Sequence, residues 1–476
     1  MNYHWNWSIF GELSPDGVQT YGQTLLSGLG WTLSASLLGW VMALALGMLV
    51  GVLRTVPHPW VRRLGTAYVE IFRNVPLLVQ MFLWYFVMPE LLPQATGDWL
   101  KTLPNAPFLT AVVCLGFFTS ARVAVQVTAG IDALSGGQRL AGMALGLSRT
   151  QTYRYILLPL ALRIVLPPLT SEFLNIIKNS SVALTIGLME LTASARAIGI
   201  LVPGVRSVFG GHADLRRRQY RRHGRHALAR TPRGAARFDP GRRGALMLAG
   251  FDFDVIARSW VYLFKTGMVF TVELTVLSML GGVVLGTLLA LARLSGWRVL
   301  SLAAAGYVNL IRAVPLVLVI FWFYFLVPYL AAWIVGAPEP VKVGTFWSAL
   351  ITFTLFQAAY YCEIMRGGIQ AIARGQMLAA QALGMRYWQV MGHIVLPQAF
   401  RNMLPVLLTQ TIVLFQDVSL VYVLSVPDFV GAASKIAQRD GRLVEMYVFV
   451  AVVYFVLCCL LSWLSRQLQR RVAIIR

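Results

Sequence analysis

The chain has 476 residues, of which 57% are hydrophobic and 13% charged, with a formal net charge of +22 and a mean hydropathy of +0.66. So many long uncharged runs exclude a soluble globular core and predict a polytopic protein that has the bilayer as its solvent. The four cysteines lie within apolar runs and lack metal-ligand spacing. We therefore expect no disulfide framework, no metal site and no cofactor.

Apolar runs long enough to cross the hydrocarbon core occur nine times along the chain. The runs before residue 204 are 31–53, 68–92, 108–131 and 160–189. The runs after residue 247 are 267–292, 307–332, 345–365, 403–426 and 445–465. The first 23 residues contain no Lys or Arg, so the first span is expected to stay as an anchor and not to be cleaved as a signal peptide.

The two groups of spans repeat one another. YVEIFRNVPL from Tyr68 matches YVNLIRAVPL from Tyr307 at an offset of 239 residues. After a slip of one residue, an offset of 238 places Gly146 on Gly384 and Pro159 on Pro397. The repeat predicts two equivalent membrane domains in the same orientation, at 1–203 and 247–476.

The junction at 204–246 is strongly basic, with 12 Arg and 2 Asp between residues 204 and 243. It stands where the repeat calls for a fifth span, and each arginine at the centre of a span costs roughly 2.5–3.5 kcal/mol. The first half is therefore predicted to lack its last span. The chain uses 36 Arg against 5 Lys, which indicates GC-rich codons.

We hypothesise that 210–243 is frameshifted translation joining two formerly separate genes, with Met247 the former start of the second. A disordered linker and a basic arm that binds lipid or RNA are the alternatives for this tract.

Two polar segments, 136–159 (GGQRLAGMALGLSRTQTYRYILLP) and 374–397 (RGQMLAAQALGMRYWQVMGHIVLP), are copies of one another. Each predicts a short helix, a turn at its glycine, and a stop at Ile-x-Leu-Pro. The first segment carries three arginines and the second two, whereas the N-terminal 22 residues contain no Lys or Arg, so the positive-inside rule places both segments in the cytoplasm and the N-terminus outside.

These segments, with their A-x-x-x-L-G and I-x-L-P motifs, resemble the coupling loop of ABC importer permeases. The F-R-x-V-P-L element at 72–77 and the Y-x-x-E-I-x-R-G-G-I element at 360–369 are similar to the polar amino acid branch of that family. The whole chain outside 207–246 looks like the two glutamate/aspartate importer permeases joined end to end. The resemblance implies an all-α polytopic membrane protein with two tandem type I transmembrane domains, of about four plus five spans.

The resemblance also implies that the two loops dock as short helices on two ABC ATPase subunits, and that a periplasmic amino-acid-binding protein delivers the substrate. The coupling residues implied are Gln138, Ala141, Gly146, Ile156 and Pro159 in the first loop, and Gln376, Ala379, Ala380, Gly384, Ile394 and Pro397 in the second. The acidic residue typical of this loop is replaced by Leu140 and Leu378. A connector that only packs on its own domain is the alternative.

Charged residues within spans are functional candidates, because they are costly to bury in a membrane. Lys178, Asn179 and Ser181 occupy the same places in the first half as Gln416, Asp417 and Ser419 in the second. Facing one another, these sets could offer an amino acid partners for its carboxylate and its ammonium group. A Lys178–Asp417 ion pair that only fixes helix packing is the alternative.

Two further sets of charges are expected to be structural or to act as gates. Glu363 and Arg366 are spaced to pair on one helix face, and their counterparts Val125 and Thr128 are both uncharged. Arg73 and Arg312, near cytoplasmic span ends, either snorkel to the interface or serve as a scaffold or gate.

The leading interpretation is a permease subunit in the bacterial inner membrane that imports polar, acidic amino acids. It would not itself be an enzyme, since the chain has no G-x-x-x-x-G-K-[ST] phosphate-binding motif. Its remaining partner is membrane lipid, and no nucleic acid is expected. The alternatives are an ion-coupled secondary transporter, whose repeats are commonly inverted, and a frameshifted fusion with impaired transport. All six histidines lie outside the predicted spans, which argues against a haem-containing membrane enzyme.

Overall fold

A computed structural model describes residues 7–14, 17–201, 251–337 and 340–472. The junction 204–246, the tract 210–243 of the frameshift hypothesis and Met247 lie outside the described residues. The proposed domain boundaries at these positions therefore stay predictions.

The described chain is built from helices, which confirms the predicted all-α class. The helices of the first half are α1 (Tyr21–Leu53), α2 (Pro59–Asn74), α3 (Leu77–Phe82), α4 (Met88–Leu91), α5 (Gln94–Thr102), α6 (Ala106–Asp132), α7 (Gly136–Ala144), α8 (Arg149–Thr152), α9 (Leu158–Asn179) and α10 (Leu191–Leu201). Those of the second half are α11 (Asp254–Val261), α12 (Val269–Leu294), α13 (Arg298–Ala313), α14 (Leu316–Val335), α15 (Thr345–Gln370), α16 (Arg374–Ala382), α17 (Tyr387–Val390), α18 (Leu396–Asp417), α19 (Phe429–Asp440) and α20 (Leu443–Val472).

Seven helical stretches among the described residues are long and apolar enough to cross a membrane, and α2 with α3–α4 makes an eighth if that bent pair is one span. The seven are Tyr21–Leu53, Ala106–Asp132, Arg149–Ile186, Asp254–Leu294, Leu316–Val335, Tyr387–Leu424 and Leu443–Gln469. The predicted run 345–365 lies in α15, a helix of 26 residues that is not among the seven.

The predicted spans 68–92 and 307–332 were wrong as continuous helices. The chain bends by 101° between α2 and α3, where Val75 is extended before Pro76. Val314 is extended before Pro315 in the same way. Proline disfavours the helical conformation in the preceding residue, so each run divides into an amphipathic helix and a separate apolar one.

Close helix crossings hold each half together. Gly47 of α1 faces α6 so closely that a Cβ atom would come within 2.6 Å of Val123. Its counterpart Gly286 of α12 faces α15, where a Cβ atom would lie 2.8 Å from Tyr361. Small residues at such crossings are how membrane helices approach one another without a hydrophobic driving force.

The largest core cluster belongs to both halves and includes the last helix, α20. Tyr447 of α20 packs its ring 4.8 Å from that of Phe82 in α3, and Tyr454 lies 5.8 Å from Phe429 of α19. The two halves therefore form one packed body, with α20 as part of their interface.

The first half has no counterpart of α20 among the described residues, and the surface shows the difference. Val87, in the segment that α20 contacts, is 2% exposed, whereas its counterpart Leu326 is 44% exposed. Phe429 is fully buried, but its counterpart Leu191 is 36% exposed. Among the described residues, the face that α20 covers on one side of the molecule is thus more exposed on the other.

Candidate functional site

The helices α9 and α18 end in the same way at the middle of the molecule. Each continues as a 3₁₀ segment, Ser180–Ile186 after α9 and Val418–Leu424 after α18. Ser181 Oγ donates a hydrogen bond to the Lys178 carbonyl at 2.7 Å, and Ser419 Oγ donates to the Gln416 carbonyl at 2.6 Å. Each hydroxyl bonds to the carbonyl three residues earlier, so the two predicted sets occupy equivalent local structures.

A cavity of about 330 Å³ lies between these helix ends. Most of its lining residues come in pairs related by the repeat offset of 238 residues. The pairs are Phe118 and Phe356, Arg122 and Tyr360, Glu172 and Gln410, Asn175 and Val413, Lys178 and Gln416, Asn179 and Asp417, and Val182 and Leu420. A cavity lined by both members of each pair lies at the pseudo-twofold axis between the halves.

Lys178, Asn179, Gln416, Asp417 and Ser419 all line this cavity. Ser181, the remaining member of the two predicted sets, does not line it and is buried.

No ion pair within 4.0 Å joins Lys178 to Asp417 among the ion pairs of the described residues. The alternative explanation of these two charges as a packing ion pair therefore finds no support in the geometry.

Lys178 and Gln416 each reach across to the other half. Lys178 Nζ donates to the carbonyl oxygen of Arg312 at 3.1 Å. Gln416 Nε2 donates to the carbonyl oxygen of Arg73, also at 3.1 Å. Because Arg73 and Arg312 are counterparts just before the proline bends, the two contacts are reciprocal. A movement of one half relative to the other would change both at once.

The charges of the cavity are asymmetric although its shape is paired. The first half contributes Arg122, Glu172 and Lys178, and the second half contributes Asp417. Their counterparts are Tyr360, Gln410, Gln416 and Asn179, which carry no charge at neutral pH. Two cations and two carboxylates thus face one cavity.

Sequence reasoning missed Arg122 and Glu172. Both lie inside predicted apolar spans, at 108–131 and 160–189. The argument that identified Lys178, that a charge inside a span is costly to bury, applies to them as well. The Arg122 guanidinium lies 4.2 Å from the ring centroid of Phe118, one helical turn earlier. Glu172 accepts a hydrogen bond from Gln126 at 3.4 Å.

A second cavity of about 280 Å³ shares the walls Arg122, Glu172, Val413 and Gln416 with the first. It extends to Arg73 at the end of α2 and to Ser462 of α20. These two residues lie towards the predicted cytoplasmic side, so the two cavities together form a polar path between the halves.

Glu363 is the centre of a charge cluster near Arg312. Arg366 Nη2 lies 2.8 Å from its carboxylate, which confirms the predicted pair. Arg312 Nη1 also lies 3.4 Å from it, and Arg293 forms a further ion pair. The cluster links α12, α13 and α15, which supports the structural interpretation of Glu363 and adds a scaffold role for Arg312.

The two polar segments fold alike, each into a short helix followed by a turn. Gly146 and Gly384 both have φ +80°, the left-handed conformation that favours glycine. Leu147 N donates to the Gly142 carbonyl and Met385 N to the Ala380 carbonyl, both at 3.1 Å. These bonds close the helix ends and confirm the predicted turn.

The predicted stop at Ile-x-Leu-Pro was wrong. Pro159 and Pro397 lie in the first turns of α9 and α18, and the preceding π-helical turns Tyr153–Leu157 and Met391–Val395 join them to α8 and α17. The π-helical turn before each proline accommodates its missing N–H, so the helix continues through it.

The other predicted loop residues lie around these turns. Leu140 and Leu378, at the position where the family carries an acid, are exposed, while Ala380 is buried. Gln398 Nε2 donates to Gln376 Oε1 at 2.7 Å, which ties α16 to α18. Gln138, Ala141, Ala379, Ile156 and Ile394 lie in α7, α16 and the two π-helical turns.

A pair of buried carboxylates, which sequence reasoning missed, caps the helices α10 and α19 that follow the 3₁₀ segments. Glu190 accepts from the backbone N–H groups of Thr192 at 2.9 Å and Ala193 at 2.8 Å. Its counterpart Asp428 accepts from those of Val430 and Gly431, both at 3.0 Å. Burial raises the pKa of each carboxyl to about 7, against the opposing effect of these hydrogen bonds.

Comparison with known proteins gives two matches to one family model within this chain. Residues 43–201 and 282–474 both match the family described as "Binding-protein-dependent transport system inner membrane component". The chain is 49% identical over 198 residues to the glutamate/aspartate import permease protein GltJ of Escherichia coli K12, which covers 41% of this chain and 80% of that protein. It is also 49% identical over 223 residues to the glutamate/aspartate import permease protein GltK of Escherichia coli O157:H7, covering 47% of this chain and 99% of that protein.

A solved structure, titled as an amino acid ABC transporter with histidines, is 30% identical and covers 46% of this chain and 98% of that chain with a TM-score of 0.40. Two family matches in tandem, and relatives that each correspond to about half of the chain, confirm the resemblance and the two-repeat organisation.

Proposed function

The chain belongs to the family of binding-protein-dependent transport system inner membrane components, and on that premise we propose that it is the permease subunit of an ATP-driven importer of acidic amino acids. It is a multi-pass inner-membrane protein. The observation that carries the proposal is the polar cavity between the two halves, because a permease must offer its substrate a route through hydrocarbon. The acidic class is supported by the relatives that import glutamate and aspartate.

In this proposal Lys178 and Asp417 receive the charged groups of an amino acid. The Lys178 ammonium would attract the α-carboxylate, and the Asp417 carboxylate would attract the α-ammonium group. They come from different halves, so a substrate that touches both lies at the interface that moves during transport. The reciprocal bonds from Lys178 and Gln416 to the Arg312 and Arg73 carbonyls would form or break as the two halves move at that interface.

The energy would come from separate subunits. Two copies of an ABC ATPase would dock on the loops 138–159 and 376–397, where small residues such as Ala141 and Ala379 allow a close approach and exposed Leu140 and Leu378 offer an apolar contact. A periplasmic binding protein would deliver the amino acid to the opposite face. The domain division would be 1–203, 204–246 and 247–476.

The test is ATP-driven glutamate uptake by proteoliposomes that contain the chain, its ATPase and its binding protein. Lys178→Met should lower the uptake rate at least about tenfold, the usual effect of losing a hydrogen bond to a charged group. Lys178→Gln is the matched variant, because it reproduces the counterpart Gln416 and its bond to a carbonyl while removing the charge. Unaltered uptake by both variants would exclude a ligand role for Lys178.

One observation favours a second candidate, a fused chain with impaired assembly. Leu326 and Leu191 are exposed where the counterparts of both are buried beside α20. Co-purification with the ATPase separates the candidates: a competent permease retains two ATPase subunits per chain, whereas an impaired fusion retains fewer or none.

A further inference from the structure

We infer that Arg122 binds the side-chain carboxylate of the substrate and so determines the preference for acidic over neutral amino acids. The inference rests on the proposed function, since it assigns a third contact to the cavity in which Lys178 and Asp417 receive the amino acid's zwitterionic end. Arg122 lies outside the two polar loops and outside the helix ends 178–181 and 416–419.

The N–H donors of the Arg122 guanidinium are not used by the residues that the structure describes, with which it forms no hydrogen bond or ion pair. One face of the guanidinium lies against Phe118, with Cζ 4.2 Å from the ring centroid. Arginine carries five N–H donors in a planar fork that matches a carboxylate. A half-buried cation without a partner costs free energy in a membrane helix, and an anionic ligand would offset that cost.

Arg122 stands at the point where the two cavities meet, because it lines both of them. The other charged groups that line the first cavity are Glu172 and Lys178 from α9 and Asp417 from α18. Neither carboxylate forms an ion pair with Arg122 within 4.0 Å in the described residues. Glu172 instead accepts from Gln126. The guanidinium therefore shares the cavity with two carboxylates and is paired with neither.

The repeat shows why Arg122 is the cation that remains for a side-chain carboxylate. The counterpart of Arg122 is Tyr360, and the counterpart of Lys178 is Gln416, so the second half offers no cation to the cavity. Lys178 already donates to the Arg312 carbonyl, and together with Asp417 it presents one positive and one negative group, which matches the α-carboxylate and α-ammonium pair. Arg122 remains for the third charge that distinguishes glutamate or aspartate from a neutral amino acid.

The experiment measures equilibrium binding of glutamate and of glutamine to the chain–ATPase complex in nanodiscs, by saturation-transfer NMR and without the binding protein, whose own selectivity would hide that of the cavity. Arg122→Gln should weaken glutamate binding about 10- to 100-fold, as expected for a charge-assisted bidentate contact, and change glutamine binding less than about twofold. Arg122→Lys, which keeps the charge but loses the fork, should fall between.

Two controls guard against loss of folding. Arg122→Tyr introduces the counterpart residue and should behave like Arg122→Gln, while Arg163→Gln removes an exposed arginine that lines neither cavity and should leave the glutamate preference unchanged. Equal weakening of both ligands by Arg122→Gln would assign Arg122 to the α-carboxylate and overturn the inference, and so would no change in either. If the unmodified complex binds neither amino acid, the proposed function itself fails.

Discussion

Replacing Glu363 with Gln should destabilise the second half markedly, because one carboxylate holds three guanidinium groups together. Its side chain is 20% exposed, and its partners Arg293, Arg312 and Arg366 come from three different helices. Removing one partner of a buried ion pair costs about 3–5 kcal/mol, whereas an exposed pair contributes less than about 1 kcal/mol. For this partly exposed cluster we expect a loss of about 2–3 kcal/mol, since the three remaining cations also repel one another.

The assay is thermal unfolding of the purified chain in detergent, where Glu363→Gln should lower the midpoint by several degrees. The matched control is the double variant Glu363→Val with Arg366→Thr, which reproduces the first-half residues Val125 and Thr128. There Arg54 Nη1 donates to Thr128 Oγ1 at 3.3 Å, so the introduced threonine gives Arg293 a neutral partner.

The double variant should cost less than the single one, because it removes a carboxylate together with one of its arginines. A single variant that melts like the unmodified chain, or a double variant that melts below the single one, would refute this reasoning.

Two further predictions concern the coupling loops and the buried caps. Gly146→Ala and Gly384→Ala should each lower the free energy of unfolding by about 1–2 kcal/mol, because a Cβ atom opposes the left-handed conformation. Each should also weaken co-purification of the ATPase, whereas the control Gly136→Ala should not, because Gly136 has open space around it and no positive φ. Equal retention of the ATPase by all three variants would contradict the role of the turn. Because burial raises the pKa of Glu190 and Asp428 to about 7, the native state holds protons that the unfolded chain releases, so the free energy of unfolding should fall as the pH rises from about 5 to about 8. Thermal unfolding across that range should show a lower midpoint at pH 8, and Asp428→Asn should remove roughly half of the difference; a midpoint that does not change with pH would show that the two carboxyls titrate normally.

The sequence predicted the architecture well, because apolar length marks spans and a repeat at 238–239 residues marks equivalent halves without any knowledge of packing. The errors arose where the local backbone conformation decides the structure. Run 68–92 is apolar throughout, but the effect of Pro76 on the backbone before it bends the chain there. Pro159 looked like a stop because a sequence does not show the π-helical turn that accommodates it.

The candidate site was predicted in part. Equivalent positions identified Lys178 and Asp417, and both line the cavity. Which groups they face depends on how the halves pack, so the reciprocal bonds to the Arg73 and Arg312 carbonyls could not be foreseen. Glu363 and Arg366 were paired correctly from their spacing on one helix, while Arg293 joins them from another helix across 70 residues of chain.

We propose that one polypeptide supplies both halves of an ATP-driven passage for acidic amino acids. Uptake of labelled glutamate should be measured in proteoliposomes that contain this chain as their only permease, together with the ATPase and the glutamate-loaded binding protein. We expect uptake that requires both ATP and the binding protein and that falls at least about tenfold with Lys178→Met. ATP hydrolysis that the loaded binding protein does not stimulate, with no glutamate accumulated, would contradict it.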